Sequence, residues 1–328
     1  MTDWRGEAVF VTGADGFIGG WLTERLLDEG AEVVILKRDR PALSRLRIEG
    51  VEARCNVASG DLSDHTELLR VLNEYGVTAV FHLAAQAIVA VANRSPLSTF
   101  ETNVRGTYNL LEAARLAPAV ERVVVASSDK AYGEHENLPY REDAKLQPRF
   151  PYDTSKAAAD LIARSYAETY ELPVAVTRFA NVYGGGDFNM SRLVPETARA
   201  ILAGEPPVIR SDGTPERDFI YAPDAVDAYL AIAEGLRDEQ NRGLAFNAGA
   251  GRPWPVLEVV ETMLDVAGSD LRPDVRGAGT PNGEIDRQYL DSTLIRERLG
   301  WEPRWALRDG LAETFAWYQR NLPAFAAR

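Results

Sequence analysis

Tyr152 and Lys156 stand four residues apart at the head of the Ala-rich pattern Ala157-Ala158-Ala159-Asp160-Leu161-Ile162. On a helix that spacing projects both side chains from one face. A phenol is a poor base at neutral pH, with a reference pKa of about 10, and a nearby ammonium favours the phenolate. Such a pair can take the proton of an alcohol while hydride leaves the carbon. A second segment, Ser127-Ser128-Asp129-Lys130-Ala131-Tyr132-Gly133, follows the apolar run Val123-Val124-Val125-Ala126. That run reads as a buried parallel strand, whose carboxyl end is where open α/β sheets place ligands. Ser128 would hydrogen-bond the same substrate oxygen as Tyr152.

The elements that must position these residues begin at the amino end. Ala8-Val9-Phe10-Val11-Thr12 reads as a strand, Gly13-Ala14-Asp15-Gly16-Phe17-Ile18-Gly19 as a tight turn, and a helix runs from there through Glu29, stopped by Gly30. Glycines at 13, 16 and 19 let backbone approach a pyrophosphate resting on the helix N-terminus. The second strand, Glu32–Leu36, ends in Lys37-Arg38-Asp39-Arg40. A basic tip there accommodates a 2′-phosphate and leans toward NADP, with NAD left open. Asp61 ends the third strand, Asp64 and Glu67 form a capping box on a helix ending at Gly76, and Val80 to Gln86 is a buried strand entering a small-residue turn. His82 reads as a core residue. A long helix over 97–117 carries Asn103 and stops at Pro118. Beyond the strand Val174–Phe179 the pattern turns irregular through 181–195. A turn at 211–215 precedes Arg217, which could fork onto a diphosphate. Leu244–Asn247 returns as a strand, and helices near 255–267, 292–299 and 307–322 close the chain.

Composition bounds the rest. The 328 residues carry a net charge of −13, which excludes a broad basic surface for nucleic acid. The single cysteine, Cys55, forms no internal disulfide and fits a reducing, cytoplasmic setting, where it reads as a small buried hydrophobe. The start of the chain has no apolar signal region, no run is long enough to span a membrane, and the three histidines lack metal-ligand spacing. The expected fold class is α/β, a doubly wound parallel sheet with a smaller C-terminal substrate lobe. Residues 1–180, joined by about 219–248, would form the dinucleotide domain, and 181–218 with 249–328 the lobe.

Taken together, Gly13, Gly16, Gly19, Asp61, Ser128, Tyr152, Lys156, Asn181 and Arg217 resemble the extended short-chain dehydrogenase/reductases that act on nucleotide sugars. The resemblance covers nearly the whole chain. It implies an NAD(P) site at Gly13, Asp15, Gly16, Phe17, Ile18, Gly19, Lys37, Arg38, Asp61, Leu62, Leu83, Ala84, Ala85, Gln86, Asn103, Tyr152 and Lys156. It implies a nucleotide-diphosphate sugar held by Gln86, Ser128, Asn181, Arg192, Leu193, Val194 and Arg217. It also implies a homodimer built through helices near 97–117 and 152–170. Asp129-Lys130 is similar to the acid-plus-base pair of hexose 4,6-dehydratases, CDP-glucose enzymes in particular. The Lys37-Arg38 tip is closer to GDP-mannose dehydratases, and Arg217-Asp218-Phe219-Ile220-Tyr221 is the general family form. The cycle so implied oxidises C4, removes the C5 proton through Lys130, protonates the leaving C6 hydroxyl from Asp129, and returns hydride to C6. A 4-epimerase, or a nucleotide-glucuronate decarboxylase, built on the same Ser128, Tyr152 and Lys156 is the competing reading.

Overall fold

A computed structural model of the chain describes residues 4–279 and 285–321. Seven strands form one parallel sheet: β1 (Ala8–Thr12), β2 (Glu32–Lys37), β3 (Asn56–Ser59), β4 (Ala79–His82), β5 (Arg122–Ala126), β6 (Val174–Phe179) and β10 (Ala245–Ala248). Their order across the sheet is β10-β6-β5-β4-β1-β2-β3. Each strand is apolar on both sides because helices cover both faces. Val9 and Val11 enter the core on one face with Leu22 and Leu26, whereas Phe10 enters the opposite core with Leu68, Leu72 and Leu110. The doubly wound parallel sheet is therefore the observed fold. Its order reverses between β1 and β4, which opens a crevice at their carboxyl ends.

Beyond β6 the chain builds a second sheet from β7 (Asn181–Tyr183), β9 (Glu216–Tyr221), β11 (Pro253–Pro255) and β13 (Arg287–Gln288); β8 (Val208–Ile209) pairs separately with β12 (Asp274–Val275). A third core of Tyr183, Val194, Ile201, Phe219, Met263, Leu311, Phe315 and Trp317 lies there. The helix Ala222–Gly235 and β10 return to the large sheet, while Phe219–Tyr221 stay with the small one in β9.

Several elements differ from the sequence-based expectation. The stretch 181–195 holds the short strand β7 and the start of a helix, Leu193–Ala203. The helix expected over 97–117 is three pieces: Pro96–Phe100, a π-helical turn Glu101–Arg105, and Gly106–Leu116. Asn103 sits on the π turn, and this wider turn coincides with its bonds to neighbouring backbone. The capping box is half made. Asp64 accepts from the Glu67 backbone N–H at 3.1 Å, but the Glu67 carboxylate pairs with Arg70. The last helix is Leu307–Arg320, and the expected end at 322 lies outside the described residues, as do residues 1–3.

Candidate active site

The two catalytic segments meet because β5 delivers one and a helix delivers the other. Ser128 is the N-cap of a 3-10 turn, Asp129–Tyr132, its Oγ accepting from the Lys130 N–H at 3.2 Å. The helix Pro151–Tyr170 begins with proline at its first position, where no N–H is needed, and packs against that turn and β5. Ser127 Oγ donates to the Lys156 carbonyl at 3.2 Å, and Lys156 Nζ donates to the Ala126 carbonyl at 2.7 Å. Tyr152, Lys156, Ser128, Asp129 and Lys130 thereby line one cleft of about 1800 Å³ along the carboxyl edge of the large sheet.

The turn is fixed from behind by a buried polar network. Arg178 on β6 forks onto Asp160, with Nε to Oδ2 at 2.7 Å and Nη2 to Oδ1 at 2.9 Å. Its Nη1 donates to the Tyr132 hydroxyl and the Glu142 carbonyl, both at 3.0 Å, and Tyr132 donates to Asn247 Oδ1 at 2.7 Å.

Burial dominates the electrostatics. It pushes the Tyr152 phenol up to about 12, against the pull of Arg192 and a hydrogen bond to Ser128. Lys156 is brought down to about 8, also by burial. The expectation that Lys156 favours the phenolate is not met in this conformation, because its ammonium is engaged by the β5 carbonyl. Asp129 is 4% exposed, and burial raises its pKa against the opposing influence of Lys130, Ser128 and Arg217. Its Oδ1 accepts from Ser128 Oγ at 3.1 Å, and its buried Oδ2 has no hydrogen-bond partner among the described residues. A carboxyl so placed favours the protonated form, a donor aimed at an acceptor that the protein does not supply.

The glycine loop fits a dinucleotide. Gly13 has φ of +78°, and a Cβ there would lie 2.6 Å from the Ala84 nitrogen. A Cβ at Gly19 would lie 2.1 Å from the Gly13 carbonyl oxygen, so the third glycine seats the helix on the loop. Gly16 caps the helix Phe17–Asp28 without a side chain, leaving its first N–H groups for an anion. Asp15, Phe17, Ile18, Lys37, Arg38, Asp61, Leu62, Leu83, Ala84, Ala85 and Gln86 line the same cleft. Asn103 does not. It lies behind the wall, accepting from the Gln86 N–H at 2.7 Å and donating to Ser155 Oγ at 2.8 Å, so it braces the cofactor turn against the catalytic helix. Lys37 is also differently engaged, its Nζ lying between Asp15 and Glu52 at 3.1 and 2.9 Å.

Asn181, Arg192, Leu193, Val194 and Arg217 line the lobe side of the cleft. Arg217 donates to the carbonyls of Glu216 and Asp286, and Arg192 to Asp187 Oδ2 at 2.9 Å. Asp218, the alternative partner considered for Arg217, points inward and accepts from the N–H groups of Ala250, Gly251 and Leu290. His82 is a satisfied core residue between Thr12 and Thr107, at 2.8 and 3.0 Å. Cys55 packs against the core, with burial raising its thiol to about 11.

Sequence reasoning missed Asp153. It lines the cleft beside Tyr152, and burial raises it to about 6 while Lys130 pulls it down. An acid in the first turn of a helix reads as ordinary dipole compensation, so its type and position gave no warning. Among the described residues no cluster of metal-ligand side chains occurs, and no helix is long and apolar enough to cross a membrane.

The model of the NAD-dependent epimerase/dehydratase family matches residues 9–249. The chain belongs to that family. It is 30% identical to a CDP-glucose 4,6-dehydratase of Salmonella typhimurium, over 96% of this chain and 91% of that one. It is 33% identical to a UDP-glucose 4-epimerase of Mycolicibacterium smegmatis, over 95% and 98%. Among solved structures, a UDP-glucose 4-epimerase of Stenotrophomonas maltophila with bound NAD and formylated UDP-arabinopyranose superposes with a TM-score of 0.87, at 28% identity, covering 97% of this chain and 99% of that one. Dehydratases and epimerases thus flank the chain at similar distance, and it is an enzyme of this nucleotide-sugar dehydratase/epimerase class.

Proposed function

We propose that the chain is a nucleotide-sugar 4,6-dehydratase, converting a nucleoside-diphosphate hexose to its 4-keto-6-deoxy form with loss of one water. The observation that carries this reading is Asp129, a carboxyl biased toward its protonated form, with one oxygen unpartnered, in the cleft beside Ser128 and Lys130. Epimerisation at C4 needs no second acid. Elimination across C5 and C6 does, because hydroxide is a poor leaving group unless protonated.

A bound nicotinamide dinucleotide would supply the hydride acceptor at C4 and the donor at C6. Gly13, Gly16, Gly19 and the wall Leu83–Gln86 would hold it. Tyr152 removes the O4 proton, with Ser128 sharing that oxygen. Asp129 protonates the C6 hydroxyl, and Lys130 in its neutral form takes the C5 proton made acidic by the C4 ketone. Arg192 and Arg217 would hold the diphosphate, with Asn181, Leu193 and Val194 shaping the lobe side.

Incubation with CDP-, GDP-, UDP- and dTDP-hexoses, read by mass spectrometry, tests this reading. A product lighter by one water supports it; unchanged mass with a new isomer assigns the chain to the epimerases, the alternative favoured by the equally similar epimerase relatives. A homodimer is part of the proposal, supported by Leu97, Tyr108, Leu161 and Tyr170 standing exposed on the two helices expected to pair. So is a cytoplasmic setting, supported by the lone Cys55.

A further inference from the structure

A doubly wound sheet places the adenosine ribose of a bound dinucleotide at the tip of β2. Two basic side chains stand there in sequence, yet neither is offered to a ligand. Lys37 is buried, its ammonium 3.1 Å from Asp15 Oδ2 and 2.9 Å from Glu52 Oε2. Asp15 is itself held by the Ser44 hydroxyl at 2.9 Å, and Arg47 lies 3.9 Å from the same Glu52 oxygen. Arg38 is exposed, but its Nε lies 2.7 Å from Asp39 and 3.8 Å from Asp61. Three cations (Lys37, Arg38, Arg47) therefore face four carboxylates (Asp15, Asp39, Glu52, Asp61) at this end of the cleft.

A 2′-phosphate would bring roughly one and a half to two further negative charges into that field. To bind it, Lys37 would have to leave two carboxylates, and Glu52 Oε2, itself shielded from solvent, would lose its cation. A 2′-hydroxyl makes no such demand, since it can donate to an exposed carboxylate at the tip.

We propose that the Asp15–Lys37–Glu52 cluster makes the cleft select a dinucleotide with a free 2′-hydroxyl, NAD, over its 2′-phosphorylated counterpart, with Glu52 a positioning residue acting through Lys37. Glu52 lies on the 3-10 turn Val51–Arg54 and is not among the residues lining the cleft. The inference rests on the dinucleotide reading of the cleft and is independent of which sugar reaction follows.

The test is titration calorimetry of the full chain, freed of any copurified dinucleotide, with NAD and with NADP and no sugar present. The expected dissociation constant for NAD is lower by at least about tenfold. Glu52→Gln should tighten NADP about threefold or more with little effect on NAD, and adding Lys37→Ala should erase that gain. The discrimination should also shrink as salt rises. NADP bound as tightly as NAD by the unaltered protein overturns the proposal, as does a Glu52→Gln effect equal on both ligands, which marks a merely structural role. Binding of neither dinucleotide overturns the cofactor reading beneath it, a different result from lost selectivity.

Discussion

Removing Asp160 should loosen the catalytic turn from a distance. Arg178 is 1% exposed and Asp160 fully buried, so Asp160→Ala leaves a guanidinium without its counter-ion inside the protein. Breaking a buried pair from one side costs about 3–5 kcal/mol, far more than a surface pair contributes. Arg178 would then draw on the Tyr132 hydroxyl and Glu142 carbonyl alone, the contacts that fix the Asp129–Tyr132 turn. Unfolding in urea with far-ultraviolet circular dichroism should show the midpoint fall with little change in slope. Turnover of the accepted sugar should fall more than dinucleotide affinity, because the glycine loop does not touch this network. Asp160→Leu combined with Arg178→Met removes the stranded charge and should recover part of the loss. A stability change under about 1 kcal/mol for Asp160→Ala, or a double variant worse than the sum of its parts, would refute this account of the network.

Four further outcomes follow from the same structure. Tyr152→Phe should lower C4 oxidation by about a hundredfold or more while leaving the dinucleotide dissociation constant nearly unchanged, measured by single-turnover absorbance of the reduced nicotinamide and by calorimetry. Gly13→Ala should abolish dinucleotide binding in the same calorimetry, since its Cβ would strike the Ala84 nitrogen at a left-handed backbone position. Asp153, raised from 3.8 to about 6, contributes stability that is complete below about pH 4 and lost as pH rises through 6; Asp153→Asn should flatten that part of the denaturation-versus-pH curve. Leu97→Glu with Leu161→Glu should halve the mass seen by light scattering if the two exposed helix faces pair between copies.

Much of the large sheet was legible because its strands announce themselves as short apolar runs between glycine turns. Ala8–Thr12 and Val174–Phe179 were read to the residue. The catalytic helix was legible for the same reason as its chemistry, since Tyr152 and Lys156 repeat at the helical period. What escaped depends on contacts between distant segments. The π turn at Glu101–Arg105 has no sequence signature, because it coincides with Asn103 reaching Gln86 and Ser155. For the same reason Asn103 was placed in the cofactor site rather than behind it. The direction of a charged side chain escaped too. Lys37 at a strand tip reads as a phosphate ligand until Glu52, fifteen positions on, is folded against it. Lys156 reads as the partner of Tyr152 until the Ala126 carbonyl claims its ammonium.

The central claim is that one cleft oxidises C4 and expels the C6 hydroxyl within a single closed cycle. Mass spectrometry of the product from a nucleoside-diphosphate hexose deuterated at C4 tests it most directly. The account predicts a product lighter by one water, with the deuterium recovered at C6 and no net consumption of nicotinamide. A product of unchanged mass, or one formed with stoichiometric consumption of the reduced dinucleotide, would contradict it.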